Sequence, residues 1–434
     1  MNKISLIIEH KLVRKILYLF FLIVYKFNLV NVFYYFFFIY ISLNVKLKIL
    51  SDKEYRGKPV VVTFWRESFL KDQKNLYSSK KINLIIIKPY IWATYTKIFY
   101  PKEIRGQILF HLSNDVESLR TKQKAIDFVT PVLSKLRKKN LIEAFIFGNV
   151  DYMEHQSWAH AALSLKIPAV VMLCEGYFTK YWYSKFINQD HFSLKTEFPF
   201  TKIFVPGSSA SDLAVDANIC SYEDIIVTGY PRTDSTYKIV SDSLVKNFSE
   251  KKIILLIAFN EPNYLCDNMW NDVLLEFTNL AKNNPNESFL IKTKRESLTQ
   301  NIVGALKVNN IENLIIRDDL TMEEISENLK LVISFTSTFL LEMMCSDLPL
   351  VVPLWEDGFK SYESGATFFD LKNSGIQYVK SKDEFASIIN AIILNKNNES
   401  DNKRELRDIY LAPYLHKIDG MRTDAVADEI IKLM

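Results

Sequence analysis

The sequence has little net charge, and this excludes one class of partner. Lysine and arginine together number 54 and the acidic residues 50, which leaves a formal charge of +4 in 434 residues. Nucleic-acid-binding proteins concentrate positive charge on one face or along one helix. We therefore expect no nucleic-acid partner.

Cysteine is also scarce, and its placement argues against disulfides and metal clusters. The four cysteines, Cys174, Cys220, Cys266 and Cys345, include no C-x-x-C pair. This pattern is typical of reduced thiols in a cytosolic protein. No D-x-D carboxylate pair follows a predicted strand, so a metal-dependent site is not expected either.

A long apolar run stands near the N-terminus. Residues 16–43 are almost wholly apolar and aromatic, with Lys26 near the middle. Basic residues flank the run on both sides: Lys11, Arg14, Lys15, Lys46 and Lys48. A lysine at mid-bilayer is costly, so a re-entrant or interface-lying pair of short helices is favoured over one clean span.

We therefore interpret residues 1–50 as a membrane-associating segment with both ends at the cytoplasmic face of the inner membrane. No small-residue cleavage site follows the run, which disfavours a secretory signal. The alternative is a hydrophobic helix buried against the globular body. Under the first interpretation, deletion of this segment leaves a soluble protein that still binds nucleotide.

Beyond residue 58, short apolar runs alternate with helix-length segments in two successive series. The predicted strands are 60–64, 84–87, 144–147, 169–173, 203–205 and 225–227, then 253–257, 289–291, 314–316, 331–334 and 350–353. Continuous apolar strands separated by helices are typical of parallel sheets covered on both faces. The fold class is therefore α/β, with two Rossmann-like domains facing each other across a cleft.

The domain boundaries follow from the same pattern. We assign residues 51–240 to an N-terminal Rossmann-like domain and residues 250–405 to a C-terminal Rossmann-like domain; the motifs given below imply that the first holds the acceptor and the second the nucleotide donor. A polar stretch from Ser235 to Lys252 reads as the linker between them. Residues 406–434 form a C-terminal helical tail.

A hydroxyl cluster follows the strand at Leu331–Ile333 and opens a helical pattern. Its members are Ser334, Thr336, Ser337 and Thr338, and Glu342 lies one helical turn further on. A strand, a polar turn and a helix N-terminus together make an anion site. The alternative is that Ser337 only caps the helix and that Glu342 is a solvated helical carboxylate.

Three motifs resemble those of a known group of enzymes. The string Thr228–Asp234, the cluster Ser334–Thr338 with Glu342, and the tail Tyr414–Gly420 resemble segments of bacterial surface-carbohydrate and capsule biosynthesis proteins. They are also similar to the CDP-glycerol glycerophosphotransferases and the UDP-N-acetylglucosamine 2-epimerases. The resemblance covers roughly residues 145–419 and implies the GT-B fold.

The chain departs from that group at two places. Glu175-Gly176 stands where the group usually has a His-Gly pair, and Lys292-Thr293-Lys294-Arg295 replaces a K-P-H-P turn. We expect Lys292, Lys294 and Arg295 to neutralise the diphosphate of a leaving nucleotide in place of a metal. The alternative is a solvated basic turn.

Candidate acceptor-side groups follow two strands of the first domain. Glu175 and Glu154 are the preferred general bases, ahead of Asp151 and His155, because an inverting transfer needs a group that accepts the acceptor's proton. Asp151 and Glu154 are alternatively first-turn residues favoured by the helix dipole.

Gly229 and Arg232 are assigned to donor binding at the interdomain turn. For Gly229 a tight turn with positive φ is a sufficient reason. Arg232 either pairs with a buried carboxylate or contacts a phosphate directly. Further along, Glu356 and Asp357 follow the strand 350–353 and are candidates for sugar binding.

The sequence and the resemblance together imply a glycosyltransferase. It moves a sugar or polyol-phosphate unit from a nucleotide-activated donor to a lipid-linked or polysaccharide acceptor. The donor is a substrate, and no cofactor is expected. Two alternatives stay open at this point, a nucleotide-sugar 2-epimerase and a catalytically inactive scaffold of a capsule-assembly complex.

Overall fold

The computed structural model divides the chain into two compact units. It describes residues 3–66, 69–100, 116–150, 153–173, 198–243, 252–258, 267–293, 296–306, 311–320, 325, 328–335, 338–346, 348–363, 375–394 and 403–434. The first unit comprises residues 1–176, 186–232 and 421–434, and the second comprises residues 177–185 and 233–420.

The first unit is built on a six-stranded parallel sheet. Its strands are β1 (Val60–Phe64), β2 (Asn83–Ile87), β3 (Ala144–Phe147), β4 (Ala169–Met172), β5 (Lys202–Val205) and β6 (Ile225–Val227). Their order is β2-β1-β3-β4-β5-β6, and every neighbouring pair is parallel. All six strands were predicted, because an inner strand of a parallel sheet is apolar on both faces.

The second unit holds another six-stranded parallel sheet. Its strands are β7 (Ile253–Ile257), β8 (Ser288–Lys292), β9 (Leu314–Arg317), β10 (Leu329–Ile333), β11 (Leu350–Pro353) and β12 (Gln377–Val379). Their order is β12-β11-β10-β7-β8-β9. The edge strand β12 was not predicted, because its three residues contain no continuous apolar run.

Fifteen helices are described. They are α1 (Lys3–Lys26), α2 (Val30–Ser51), α3 (Leu70–Ser78), α4 (Pro89–Phe99), α5 (Val116–Lys138), α6 (Met153–Ser164), α7 (Ser208–Asp216), α8 (Arg232–Ser243), α9 (Asp267–Asn283), α10 (Glu296–Leu306), α11 (Thr338–Met343), α12 (Glu356–Glu363), α13 (Lys382–Ile393), α14 (Lys403–Leu415) and α15 (Arg422–Lys432).

Helix α8 corrects the predicted linker. The stretch from Ser235 to Ser243 is helical rather than a loop. The buried side of this helix carries Thr233 and Thr236 instead of large apolar residues, so the sequence shows no apolar stripe there. The division between the two units falls between Arg232 and Thr233, ahead of the predicted boundary at residue 240.

The predicted C-terminal tail, residues 406–434, is divided between the two units. Helix α14 belongs to the second unit, whereas α15 belongs to the first. Val426, Ala427 and Ile430 of α15 are fully buried in the core of the first sheet, in the same cluster as Val61 and Phe69. The segment that follows the second unit therefore contributes to the core of the first unit.

The N-terminal helices α1 and α2 pack on the first unit. Strand β2 is an edge of its sheet, and α2 lies along that edge. Tyr40 Oη donates to the Ile86 carbonyl at 3.0 Å, and Lys48 Nζ lies 3.5 Å from the Ile82 carbonyl. Because Ile87 turns its carbonyl toward β1, the carbonyls one residue away face the free edge. The side chains of α2 thus bind backbone carbonyls along this edge, which would otherwise be open to pairing with other strands.

Aromatic packing fixes the same pair of helices. The ring of Phe33 contacts Phe128 of α5 at 5.2 Å, and Phe37 contacts Trp158 of α6 at 5.6 Å. Residues 1–50 are therefore part of the first unit, contrary to the expectation of a separable segment. Deletion of these residues would uncover Phe128 and Trp158, so we expect the truncated chain to aggregate and not to be soluble. By length and composition, α2 would pass as a membrane-crossing helix, a test that core helices of soluble proteins also pass.

Lys48 provides a pH-dependent test of this packing. The side chain is 2% exposed, and Nζ lies 4.1 Å and 4.2 Å from the ring centres of Tyr55 and Tyr77. Burial, with a smaller effect of Lys80, lowers the pKa of Lys48 to about 7. Between pH 7 and the ordinary lysine pKa the unfolded chain binds more protons, so stability rises with pH there.

We expect Lys48→Met to remove that rise, which for one proton is at most about 1.4 kcal/mol per pH unit. Denaturant unfolding of the wild type and the variant from pH 7 to pH 9.5 measures the difference between the slopes. Lys46→Met is the matched control, since Lys46 is exposed on the same helix. Equal slopes for the wild type and Lys48→Met would contradict the burial of the charge.

Candidate functional site

The second sheet has a topological switch point between β7 and β10. From β7 the chain proceeds to β8 and β9 on one side, and then returns to place β10 on the other side. The strands that follow β7 and β10 in the chain therefore lie on opposite sides of this pair, and ligands of open α/β sheets bind at the carboxyl ends of the strands at such a point. Ser334 follows β10 directly, at this point.

Ser334 is the best-defined polar group at the switch point. It is fully buried, and its backbone N–H donates to the Val351 carbonyl at 3.1 Å. Its Oγ makes no hydrogen bond to any residue that the structure describes. An unsatisfied buried hydroxyl costs about 1–3 kcal/mol. The Ser334 hydroxyl is therefore suited to form a hydrogen bond with a ligand.

The rest of the hydroxyl cluster is only partly described. Thr336 and Ser337 lie outside the described residues, as does the side chain of Thr338, although Thr338 begins α11. Their contacts with a phosphate stay predictions.

Glu342 of α11 is buried rather than solvated. It is 3% exposed, and its carboxylate accepts a hydrogen bond from Thr236 Oγ1 at 3.3 Å. The alternative of a solvated helical carboxylate is therefore wrong. Binding of ribose hydroxyls by Glu342 stays a prediction.

Lys292 ends β8, at the same edge of the sheet as Ser334. Strands β8 and β10 flank β7, so the two residues are separated by one strand, or roughly 10 Å at ordinary strand spacing. On the next strand, Arg317 binds Asp319 with two hydrogen bonds of 2.7 Å and 2.6 Å. The Arg317 guanidinium lowers the pKa of Asp319, and Lys292 adds to that effect. Lys294 and Arg295 lie outside the described residues.

Asp357 has a structural role, which corrects its assignment to sugar binding. Its two carboxylate oxygens accept the backbone N–H groups of Asn268 and Met269 at 2.8 Å and 3.0 Å. These donors belong to the first turn of α9, so Asp357 caps that helix from outside. Glu356 is exposed and has a φ of 47°.

The first sheet has its own switch point, between β1 and β3. Arg66 follows β1, and Glu154 lies in the first turn of α6, just after β3. Burial raises the pKa of Glu154, and the positive charge of Arg66 opposes that shift. A carboxyl group with a raised pKa at the ligand edge of a sheet is a candidate general base. Arg66 was not predicted, because a lone arginine after a strand gives no signal.

Two buried tyrosines are influenced by the charge of Glu154. Tyr100 Oη and Ser157 Oγ form a hydrogen bond, and the pKa values of Tyr95 and Tyr100 are raised chiefly by burial and also by Glu154. His155 is 1% exposed and lies among the rings of Phe64, Trp92 and Phe147 at 6.1, 5.6 and 5.3 Å. This packing favours a structural role for His155. Asp151 and Glu175 lie outside the described residues, and their roles stay predictions.

The turn at Gly229 is held by a buried ion pair within the first unit. Gly229 has the positive φ that was predicted, at 74°. Asp72 of α3 is 0% exposed and accepts from the backbone N–H of Arg232 at 2.9 Å and from its Nε at 2.7 Å. Asn75 Nδ2 donates to the Pro231 carbonyl at 2.5 Å. Of the two roles predicted for Arg232, the structure contains the carboxylate pair, and the phosphate contact stays a prediction.

Comparison with known proteins places the fold. The sequence matches no described family profile, and no curated protein is significantly similar to it. Among solved structures, the UDP-GlcNAc 2-epimerase from Neisseria meningitidis bound to UDP-GlcNAc is similar with a TM-score of 0.51 and 14% identity, over 86% of this chain and 100% of that one. The S. aureus MnaA–UDP co-structure is similar with a TM-score of 0.51 and 14% identity, over 87% of this chain and 98% of that one. The chain therefore has an α/β fold of the GT-B type.

Proposed function

We propose that the protein is a glycosyltransferase of cell-surface carbohydrate biosynthesis. It moves a sugar or a polyol-phosphate unit from a nucleotide-activated donor to a lipid-linked or polysaccharide acceptor, as in capsule assembly. The observation that carries the proposal is the buried Ser334 hydroxyl, without a described partner, at the switch point of the second sheet.

The donor binds the second unit. Ser334 and the hydroxyls that follow it contact the diphosphate at the N-terminal end of α11. Lys292 supplies positive charge at the same sheet edge and stabilises the leaving nucleotide. The two similar structures hold UDP-GlcNAc and UDP, which supports a nucleotide at this edge.

The acceptor is activated in the first unit. In an inverting transfer, the acceptor hydroxyl loses its proton to a carboxylate as its oxygen bonds to the transferred carbon. The bond from that carbon to the diphosphate oxygen breaks, and the nucleotide leaves with the electron pair. Glu154 is the described candidate for the base because burial has raised its pKa. Glu175 competes for this role.

A nucleotide-sugar 2-epimerase is the second candidate, favoured by the similarity of the fold to that of the UDP-GlcNAc 2-epimerase from Neisseria meningitidis. The two functions differ in their need for an acceptor. A transferase releases free nucleotide only when a lipid-linked or polysaccharide acceptor is present, whereas an epimerase converts its nucleotide sugar without one. An inactive scaffold does neither, so release of nucleotide with and without acceptor, together with conversion of the nucleotide sugar in the absence of acceptor, separates the three.

Ser334→Ala tests the donor site. A thermal-shift screen with UDP, CMP, CDP and GDP first identifies the nucleotide, since a ligand of the folded state raises the melting temperature. We expect the variant to weaken the binding of that nucleotide about ten- to a hundredfold, through loss of a hydrogen bond to a charged group. The melting temperature of the free protein should not fall, because the hydroxyl has no described partner.

Ser288→Ala is the matched control for this test. Ser288 begins β8 and therefore lies at the opposite, amino-terminal edge of the same sheet. Its substitution should leave nucleotide affinity unchanged. Folded Ser334→Ala protein with wild-type affinity would contradict the donor site.

A further inference from the structure

The outward side of α2 carries a continuous apolar stripe. Its side chains are Val32, Tyr35, Ile39, Leu43, Leu47 and Leu50, each between 38% and 81% exposed. Their spacing of three or four residues places them on one side of the helix. The buried side chains of α2, such as Phe33, Phe37 and Ile41, lie on the opposite side, against the first unit.

Helix α1 repeats the arrangement. Ile16, Leu19 and Ile23 of α1 follow at the same spacing, as does Phe27 just beyond its end, and these side chains are 51% to 71% exposed. We call the two rows together the outer stripe. Soluble monomers rarely expose an apolar patch of this extent, and such patches mark contact with a protein or a membrane.

The charges that the two helices carry from residue 12 to residue 51 have one sign. No aspartate or glutamate occurs from residue 12 to residue 51. Arg14, Lys15, Lys26 and Lys46 are all exposed on these two helices. An apolar face whose helices carry only basic charges over this range is complementary to a bilayer with anionic headgroups.

We propose that the outer stripe lies in the surface of an anionic lipid bilayer. The helices rest in the plane of the membrane and do not cross it, because Tyr40 and Lys48 bind α2 to the edge of β2. Crossing would break both contacts and move Lys48 into hydrocarbon. The first unit is therefore held at the lipid surface, on the cytoplasmic face of the inner membrane.

A second copy of the chain fits the outer stripe less well. A two-fold interface brings the same surface patch together twice. Lys26 and Lys46 would then meet further basic residues, with no acid on either helix from residue 12 onward to pair with them. Like charges at an interface oppose association.

Vesicle flotation of the full-length protein tests the proposal independently of the proposed reaction. Vesicles of phosphatidylcholine with about one-third phosphatidylglycerol, a composition that gives a negative surface potential, should carry the protein upward. Ile39→Ser/Leu43→Ser/Leu47→Ser should reduce binding at least tenfold, because three apolar side chains that become buried in the bilayer are lost. The control Leu275→Ser/Ile315→Ser/Ile409→Ser alters three similarly exposed side chains of the second unit and should float like the wild type.

A second variant leaves the apolar side chains intact. Lys26→Gln/Lys46→Gln should weaken binding to the anionic vesicles by about fivefold per lysine, without changing binding to pure phosphatidylcholine. Failure of the wild type to float would overturn the proposal, as would unchanged flotation of the folded triple serine variant. A wild-type dimer that the triple variant converts to a monomer would also overturn it, in favour of a second copy.

Discussion

Glu154→Gln is expected to lower turnover at least a hundredfold while nucleotide affinity stays within a few-fold. The substitution keeps the shape of the side chain and removes the group that accepts the proton. Because Glu154 belongs to the first unit and the proposed donor site to the second, turnover and nucleotide affinity report on separate sites. Turnover is measured as release of free nucleotide in the presence of acceptor.

Glu223→Gln is the control for that experiment. Glu223 is exposed and precedes β6, at the amino-terminal edge of the same sheet. Its loss should leave turnover unchanged. Near-normal turnover in Glu154→Gln would move the role to Glu175 or Asp151 and would contradict the assignment of Glu154.

Glu154→Gln should also change how stability depends on pH. A carboxyl with a raised pKa in the folded state holds its proton where the unfolded chain has lost it. Stability from this group is therefore present below the ordinary glutamate pKa and lost as pH rises through the folded pKa. Urea unfolding from pH 4 upward should show a smaller loss of stability in the variant than in the wild type.

Asp72→Ala is expected to lower the free energy of unfolding by about 3–5 kcal/mol. The substitution removes the buried carboxylate that accepts from the Arg232 backbone N–H and from its Nε, and loss of one partner of a buried ion pair is strongly destabilising. Denaturant or thermal unfolding of the purified variant measures the effect.

Asp319→Ala provides the comparison for Asp72→Ala. Asp319 is also bound by an arginine through two hydrogen bonds, but the side chains of Arg317 and Asp319 are 48% and 63% exposed. Exposed ion pairs contribute about 0–1 kcal/mol. A loss below about 1 kcal/mol in Asp72→Ala would mean that the pair does not hold the Gly229 turn.

The fold could be predicted in large part because its strands are apolar on both faces. Eleven of the twelve strands follow from uninterrupted runs such as Val60–Phe64 and Ile253–Ile257. The same logic misses β12, whose Gln377 and Tyr378 are polar, and α8, which buries threonines. An apolar run in a sequence also does not show which face of the helix packs against the protein. Helix α2 has one apolar face on the protein and another exposed, and the sequence cannot tell which contacts the first unit.

The candidate site could be predicted at the level of strand ends but not of partners. Ser334 and Lys292 were found because each follows an apolar strand directly. The partners of Arg232 and Glu342 are Asp72 and Thr236, each more than a hundred positions away. No local pattern connects residues so far apart, so the sequence alone left their environment open.

The position of α15 has a consequence for synthesis on the ribosome. Its residues Val426, Ala427 and Ile430 occupy the core of the first unit, although they are translated after the whole second unit. Domains of larger proteins usually fold in order of synthesis. Here the N-terminal unit cannot finish its core until the whole second unit has emerged, so a nascent or prematurely terminated chain exposes an unfilled apolar groove to chaperones and proteases.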